Sequence, residues 1–311
     1  MKFVAVQPLQ YDHSGIVGID GYYLVDEYKI IPCIEEKTRS SQKPWKTLIL
    51  TFPFEGKEEN RDPSNLFKNN SIAATKAKKF AAWFALITNT PTRLFYSGFG
   101  RGSFFWCWHH PVSDYQEAES LKPFSPDLNG PCGNYEAVPR PDFSHSKVLA
   151  HAIRLPADME LLTRKLFSLP LKERNHYHSA CLSYQYGLEV WGTYPSVSLV
   201  ALVSAIESMM ADEPSSRYCR DARRRCTLKR DVSRKFRVFF ERTLAKPLPQ
   251  NLQGFLRKAY SNRSSYVHRA LMGKFGLVVY QDITETMHLY SELGQLSELV
   301  RAGLIQWLVE I

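Results

Sequence analysis

Long hydrophobic runs are missing from this sequence. The longest apolar blocks, Ala81–Ile87 and Ser198–Met210, are too short or too polar to span a bilayer. The N-terminal run Phe3–Val6 is shorter than the apolar core of a secretory signal. These absences exclude a membrane-spanning class, and we expect a soluble cytoplasmic protein without a membrane partner.

Closely spaced cysteines are missing too. The nearest two of the six, Cys219 and Cys226, have six residues between them, not the two of a zinc knuckle. A zinc site there stays open, but the prediction is no metal and no cofactor. His176 and His178 precede Cys181, yet residues two apart on a helix diverge by about 200°, so they cannot share one ion. Without an export signal, reduced thiols are expected.

The length of 311 residues favours two domains, and we expect an α+β fold class overall. Strand patterns dominate residues 1–60, and a helical pattern covers 71–88. Residues 1–150 are therefore predicted to form a mixed α/β sensor or regulatory domain, with a Pro-rich connector at 111–141. Residues 151–311 are predicted to form an all-α helical domain.

Element boundaries follow from apolar spacing and from proline. Strands are predicted where short apolar or alternating runs lie between Gly, Pro and Ser clusters: Lys2–Val6, Tyr22–Val25, Lys29–Ile34, Thr47–Phe52, Thr92–Tyr96 and Phe104–Trp108. Helices beyond the connector are predicted where apolar residues recur at spacings of three and four: Asp158–Ser168, Leu171–Val190, Ser196–Met210, Thr227–Leu244, Leu252–Met272 and Ile283–Ile311.

Basic charge is concentrated in the C-terminal half. Residues 1–150 have 17 Lys and Arg against 16 Asp and Glu, whereas residues 151–311 have 23 against 15. Within 217–246 there are 12 basic residues and 3 acidic ones, a density that attracts polyanions such as RNA. A solvated helix face would look the same. The arginines predicted to bind RNA are Arg223, Arg224, Arg225, Arg230, Arg234 and, farther along, Arg269.

The pattern that most strongly indicates catalysis is an arginine and a histidine five positions apart, Arg263 and His268, inside an apolar-periodic segment. Arginine is a fixed cation whose planar fork suits phosphate, and histidine can take and give protons near neutrality. These groups suffice for metal-free RNA cleavage. The same spacing occurs at Arg140 and His145, where Pro139 and Pro141 flank the arginine and predict a connector, so the spacing alone is a weak signal.

The two positions lie about 140° apart around an ideal helix, so they cannot converge on one small ligand unaided. Either the helix bends, or a second copy of the chain completes the site. We expect a homodimer, because two-fold dimers are the commonest oligomers.

Residues 158–311 resemble a HEPN domain, specifically its ApeA-like branch. The resemblance rests on the helix Ser198–Met210 with its Ile-Glu pair, the helix Val232–Phe240 and the segment Ala259–His268. It implies an all-α bundle, usually a homodimer, with metal-independent ribonuclease activity in its active members.

The resemblance also implies residue roles. Arg263 and His268 would be the catalytic pair, Ser264 the polar residue after the arginine, and Glu207 a buried acid that orients the site. Asn262, beside Arg263, is counted as a supporting residue.

Two positions depart from the family pattern. Arg269 stands where many ApeA-like members have glycine, and Ala270 replaces the tyrosine of HEPN toxins that are silenced by nucleotidylation. The second departure argues against that silencing route.

The predicted function is a metal-independent endoribonuclease, a toxin of phage defence or growth arrest, with RNA as partner. Its N-terminal domain would sense a trigger that the sequence does not identify. The alternative is a non-catalytic HEPN module that binds RNA or a partner protein. Buried Glu207 needs a partner, and its pairing with Arg263 would be structural even in an inactive protein. Tyr260 is interpreted as a core residue in preference to a base-stacking platform.

Overall fold

The structure is a computed structural model that describes residues 2–11, 23–25, 28–32, 47–58, 62, 64–89, 92–94, 108–111, 158–210, 228–244, 247–269 and 283–311. Most of these residues are helical. They fall into two compact units, the first ending at Arg164 and the second beginning at Lys165. The predicted boundary at residue 150 and residues 112–141 of the predicted connector lie outside the described residues. No helix in the described ranges is long and apolar enough to cross a membrane.

The described strands of the first unit form one sheet with antiparallel pairing. They are β1 (Lys2–Tyr11), β2 (Tyr23–Val25), β3 (Tyr28–Pro32), β4 (Thr47–Glu55), β5 (Thr92–Leu94) and β6 (Trp108–Pro111). The order is β2-β3-β4-β1-β5, and β6 also pairs with β1. Among the described elements of this unit, the helix Ser64–Thr88 follows four strands. The predicted mixed α/β character of residues 1–150 therefore stays a prediction.

Strand β1 runs past Pro8, whereas the prediction ended it at Val6. One edge of β1 pairs with β4 along its length, and Pro8 is opposite Ile49. On the other edge β6 pairs with residues 3–6 and β5 with residues 9–11, so Pro8 lies between the two ladders. Proline lacks an N–H group, and this gap is where a strand tolerates that loss. Strand β6 contains Trp108, the last residue of the strand predicted at 104–108, and residues 104–107 lie outside the described ranges.

Helix α1 (Ser64–Thr88) begins seven residues before its predicted start. The carboxylate of Asp62 accepts hydrogen bonds from the Ser64 N–H at 2.8 Å and from its hydroxyl at 2.7 Å. Asn69 is buried and exchanges two bonds with the backbone of Lys57, at 2.9 and 2.8 Å. The first turns are thus held by polar side chains, which apolar periodicity does not detect.

The second half of α1 is buried on every side, over Phe80–Ile87. Within it the indole N–H of Trp83 donates to the hydroxyl of Thr163 at 2.9 Å. Thr163 lies in α2 (Met159–Ser168). The helix ends as predicted at Asn89, which has a φ of 52°, the left-handed conformation that asparagine tolerates at a helix end.

The second unit is helical throughout its described elements, which agrees with the all-α prediction for this half. The helices are α3 (Leu171–Val190), α4 (Pro195–Met209), α5 (Leu228–Thr243), α6 (Gln250–Arg269) and α7 (Ile283–Glu310). Helix α4 is central, since it contacts α3, α5, α6 and α7. Gly187 allows α3 to approach α4 closely, because a Cβ there would lie 3.0 Å from the Leu202 side chain.

Candidate functional site

A single acidic group interrupts the central helix α4. Its sequence, PSVSLVALVSAIESM, contains one charged residue, Glu207, in the last turn. Leu202, Val203 and Ile206 of the same helix are fully buried. The side chain of Glu207 is only 20% exposed. A carboxylate so far out of water needs a charged or hydrogen-bonded partner.

Arg263 of α6 is that partner. Its Nη2 donates to Oε2 of Glu207 at 2.5 Å, and its side chain is 19% exposed. The contact joins two helices across 56 positions of sequence. The pairing suggested by the sequence is therefore formed, and it places one fixed cation beside the C-terminal end of α4.

Tyr260 is the third member of this cluster. Its hydroxyl donates to Oε1 of Glu207 at 3.3 Å, and its ring packs at a tilt against Phe236, with 5.6 Å between centroids. Burial raises the pKa of Tyr260, and the charge of Glu207 raises it further, while Arg263 opposes the shift. The hydroxyl is thus a neutral donor at physiological pH.

Sequence reasoning missed the role of Tyr260 in the cluster. The interpretation as a core residue is incomplete, since the side chain is only partly buried and its hydroxyl contacts Glu207. The available signal was its spacing, because residues three apart on a helix lie on neighbouring faces. Tyr260 and Arg263 have that spacing, so both could reach one acid.

Only one nitrogen of the Arg263 guanidinium has a hydrogen bond to a described residue. Its Nη2 is bonded to Glu207. Its Nε is buried and has no hydrogen-bond partner among the described residues. Nη1 has no hydrogen bond to a described residue and, unlike Nε, is not buried, so it is the nitrogen left to meet a ligand. One free N–H edge on a fixed cation suits a phosphoryl oxygen.

The predicted supporting residues on either side of Arg263 are placed differently. Asn262 lines a small cavity with Leu199 and Leu293, and Arg263 is not among the residues that line it. Ser264 is partly exposed at the next position of α6. The structure therefore brings Glu207 to Arg263 and places Asn262 at a neighbouring cavity.

His268 and Arg269 belong to the last turn of α6, and their side chains lie outside the described residues. Helix α6 continues from Arg263 through His268. The two backbone positions are consequently about 140° apart around its axis. A regular helix therefore places Arg263 and His268 on different faces within one chain.

The predicted RNA-binding arginines are only partly described. Arg234 is exposed on α5. Arg230 is in the first turn of that helix, with its side chain outside the described residues. Residues 223–225 lie wholly outside them.

Among the described residues no group of three His, Cys, Asp or Glu could hold a metal ion. Cys219 and Cys226 lie outside the described ranges. Cys181 is buried, and burial raises the pKa of its thiol far above the usual range. A thiol that stays protonated is a poor nucleophile.

No family model matches the chain, and no curated protein or solved structure matches it either. The resemblance to HEPN domains thus stays a prediction. The cluster of Glu207, Arg263 and Tyr260 is the structural feature on which a functional proposal can rest.

Proposed function

We propose that this protein is a metal-independent endoribonuclease of HEPN type, with Arg263 and His268 as its catalytic pair. The observation that carries the proposal is the largely buried Glu207–Arg263 pair, in which Nη1 of the guanidinium has no hydrogen bond to a described residue. A cation fixed in place before the reaction stabilises developing charge better than one that must reorganise. We place its activity in the cytoplasm, in phage defence or growth arrest.

The chemistry uses groups of the chain and the RNA alone. The 2′-hydroxyl attacks the adjacent phosphorus, and the bond from phosphorus to the 5′-oxygen breaks. His268 takes the proton of the 2′-hydroxyl and gives it to the leaving 5′-oxygen. Nη1 of Arg263 stabilises the negative charge on the phosphoryl oxygens. The products have a 2′,3′-cyclic phosphate and a 5′-hydroxyl.

A second copy of the chain completes the site in this proposal. The positions of Arg263 and His268 differ by about 140° around one helix, so each pair takes its arginine and its histidine from different chains. Two-fold symmetry would create two such sites in one dimer. The N-terminal half would sense a phage-derived or nucleotide trigger and restrain the cut until it arrives.

The basic part of the second unit would guide RNA to the site. Arg234 is exposed, Arg230 and the run 223–225 add charge in the same stretch of sequence, and Arg269 adds charge farther along the chain. Neutralising phosphates releases counterions, so RNA affinity should fall steeply with salt.

The same ion pair also favours a second candidate, a non-catalytic HEPN module that binds RNA or a partner protein. Glu207 already neutralises Arg263, and both side chains are largely buried. A buried pair of this kind can serve the fold without any chemistry.

The decisive experiment incubates the full-length protein with total RNA in excess EDTA and maps the fragment ends. The test variant is His268→Ala. The matched control is His288→Ala, because the His288 side chain is 71% exposed on α7. The wild type and the control should cut and leave cyclic phosphates, and His268→Ala should not.

A metal requirement, 5′-phosphate ends or full cleavage by His268→Ala would each overturn the nuclease proposal. RNA that is bound but not cut, with binding that Arg263→Ala abolishes, would instead support the binding module.

A further inference from the structure

The Glu207 carboxylate is shared by two donors on opposite oxygens. Tyr260 donates to Oε1 at 3.3 Å, and Arg263 donates to Oε2 at 2.5 Å. Both donors lie on α6, and the acceptor lies on α4. A carboxylate held through one oxygen can turn about its last torsion, which is broad. A second donor on the other oxygen restricts that rotation.

The orientation of the carboxylate sets the orientation of the guanidinium. The described contact of Arg263 is the one from Nη2 to Glu207, and Nε has no partner among the described residues. The direction in which Nη1 points therefore depends on Glu207. Whatever fixes the plane of that carboxylate also fixes the free edge of the arginine.

We propose that Tyr260 is a positioning residue, whose hydroxyl aligns Glu207 so that Arg263 presents Nη1 to the scissile phosphate. This role rests on the proposed nuclease function and adds a residue to it. Tyr260 itself does not touch the RNA.

Two further observations agree with this role. The Tyr260 ring packs at a tilt against Phe236, with 5.6 Å between centroids, and this contact limits the positions open to its hydroxyl. Burial and the charge of Glu207 raise the pKa of Tyr260, so the hydroxyl remains a donor across the pH range in which a histidine works.

The test replaces Tyr260 by phenylalanine, which keeps the ring and removes the hydroxyl. The matched control is Tyr290→Phe, because the Tyr290 hydroxyl donates to the Gly192 carbonyl at the same 3.3 Å. In the EDTA cleavage assay Tyr260→Phe should lower kcat about tenfold and change KM less than about twofold, since alignment matters most in the transition state. The two variants should melt at similar temperatures, and Tyr290→Phe should keep its kcat.

A binding measurement shows whether the effect passes through Arg263. The probe is a fully 2′-O-methylated RNA, which cannot undergo attack by a 2′-hydroxyl. Tyr260→Phe should weaken its binding about threefold in the wild-type background and not at all in an Arg263→Ala background, because coupled residues are non-additive.

An active wild type with an unchanged kcat in Tyr260→Phe would overturn the positioning role alone. The same holds for a binding loss that persists after Arg263 is removed. An inactive wild type that does not bind RNA would overturn the nuclease proposal and the positioning role together.

Discussion

Two arginine–glutamate pairs in this protein have the same N–O distance and different surroundings. In the first unit Arg164 contacts Glu160 at 2.5 Å, with side chains 66% and 50% exposed. In the second unit Arg263 contacts Glu207 at 2.5 Å, with side chains 19% and 20% exposed. The first pair lies within one helix, and the second joins α4 to α6.

The difference shows that distance alone does not identify an important ion pair. Water screens the exposed pair, and either partner can be solvated if the other is removed. The largely buried pair has no such alternative, so loss of one partner leaves a desolvated charge. Nε of Arg263 is also buried without a hydrogen-bond partner among the described residues, which makes this cation still harder to leave unpaired. Replacing Glu160 and Glu207 one at a time should therefore lower the free energy of unfolding by different amounts.

The largest effect is expected from Glu207→Ala. It leaves the Arg263 cation without its partner and should lower the free energy of unfolding by about 3 kcal/mol, measured by urea denaturation. The double variant Glu207→Leu, Arg263→Met should recover most of that loss, because neither charge then remains. Equal stabilities of the single and double variants would mean that the pair is solvated like a surface pair.

An intermediate effect is expected from Asn69→Ala, which removes hydrogen bonds of a buried, uncharged side chain. Both polar ends of Asn69 bond to the Lys57 backbone, at 2.9 and 2.8 Å. Their loss should cost about 1.5 kcal/mol in urea denaturation. Asn175→Ala on α3 is the control, since Asn175 is exposed, and it should change stability by less than about 0.5 kcal/mol. If Asn69→Ala costs as little stability as the control, the two hydrogen bonds between Asn69 and the Lys57 backbone do not stabilise the fold.

The smallest effect is expected from Glu160→Ala. The loss should be about 0.5 kcal/mol and should shrink further in 1 M salt, because the pair is exposed and screened. The Glu207→Ala loss should persist in the same salt. If the two losses respond alike to salt, burial is not what separates the pairs.

Most helix positions in the second unit could be predicted from sequence, because apolar residues recur there at spacings of three and four. Pro195 begins α4 as expected, since proline suits a first turn. The Glu207–Arg263 pair was also foreseeable, because a single charge in an apolar helix requires a partner.

Other features were hidden for physical reasons. The start of α1 depends on Asn65 and Asn69, which are buried through bonds to the Glu58 and Lys57 backbone and not through apolar contact. The path of β1 past Pro8 depends on which neighbours pair with it. The contact of Tyr260 with Glu207 spans 53 positions, and the spacing of Tyr260 from Arg263 was the one local signal of it.

The central claim is that Arg263 and His268 from two copies form one RNA-cleaving site. The most direct measurement mixes Arg263→Ala with His268→Ala, each inactive alone, and assays RNA cleavage in EDTA after the chains exchange. A mixed dimer holds one intact pair, so cleavage with cyclic-phosphate ends should reappear at about a quarter of the wild-type level. A mixture of folded chains that have formed mixed dimers but stay inactive beside an active wild type would contradict the composite site.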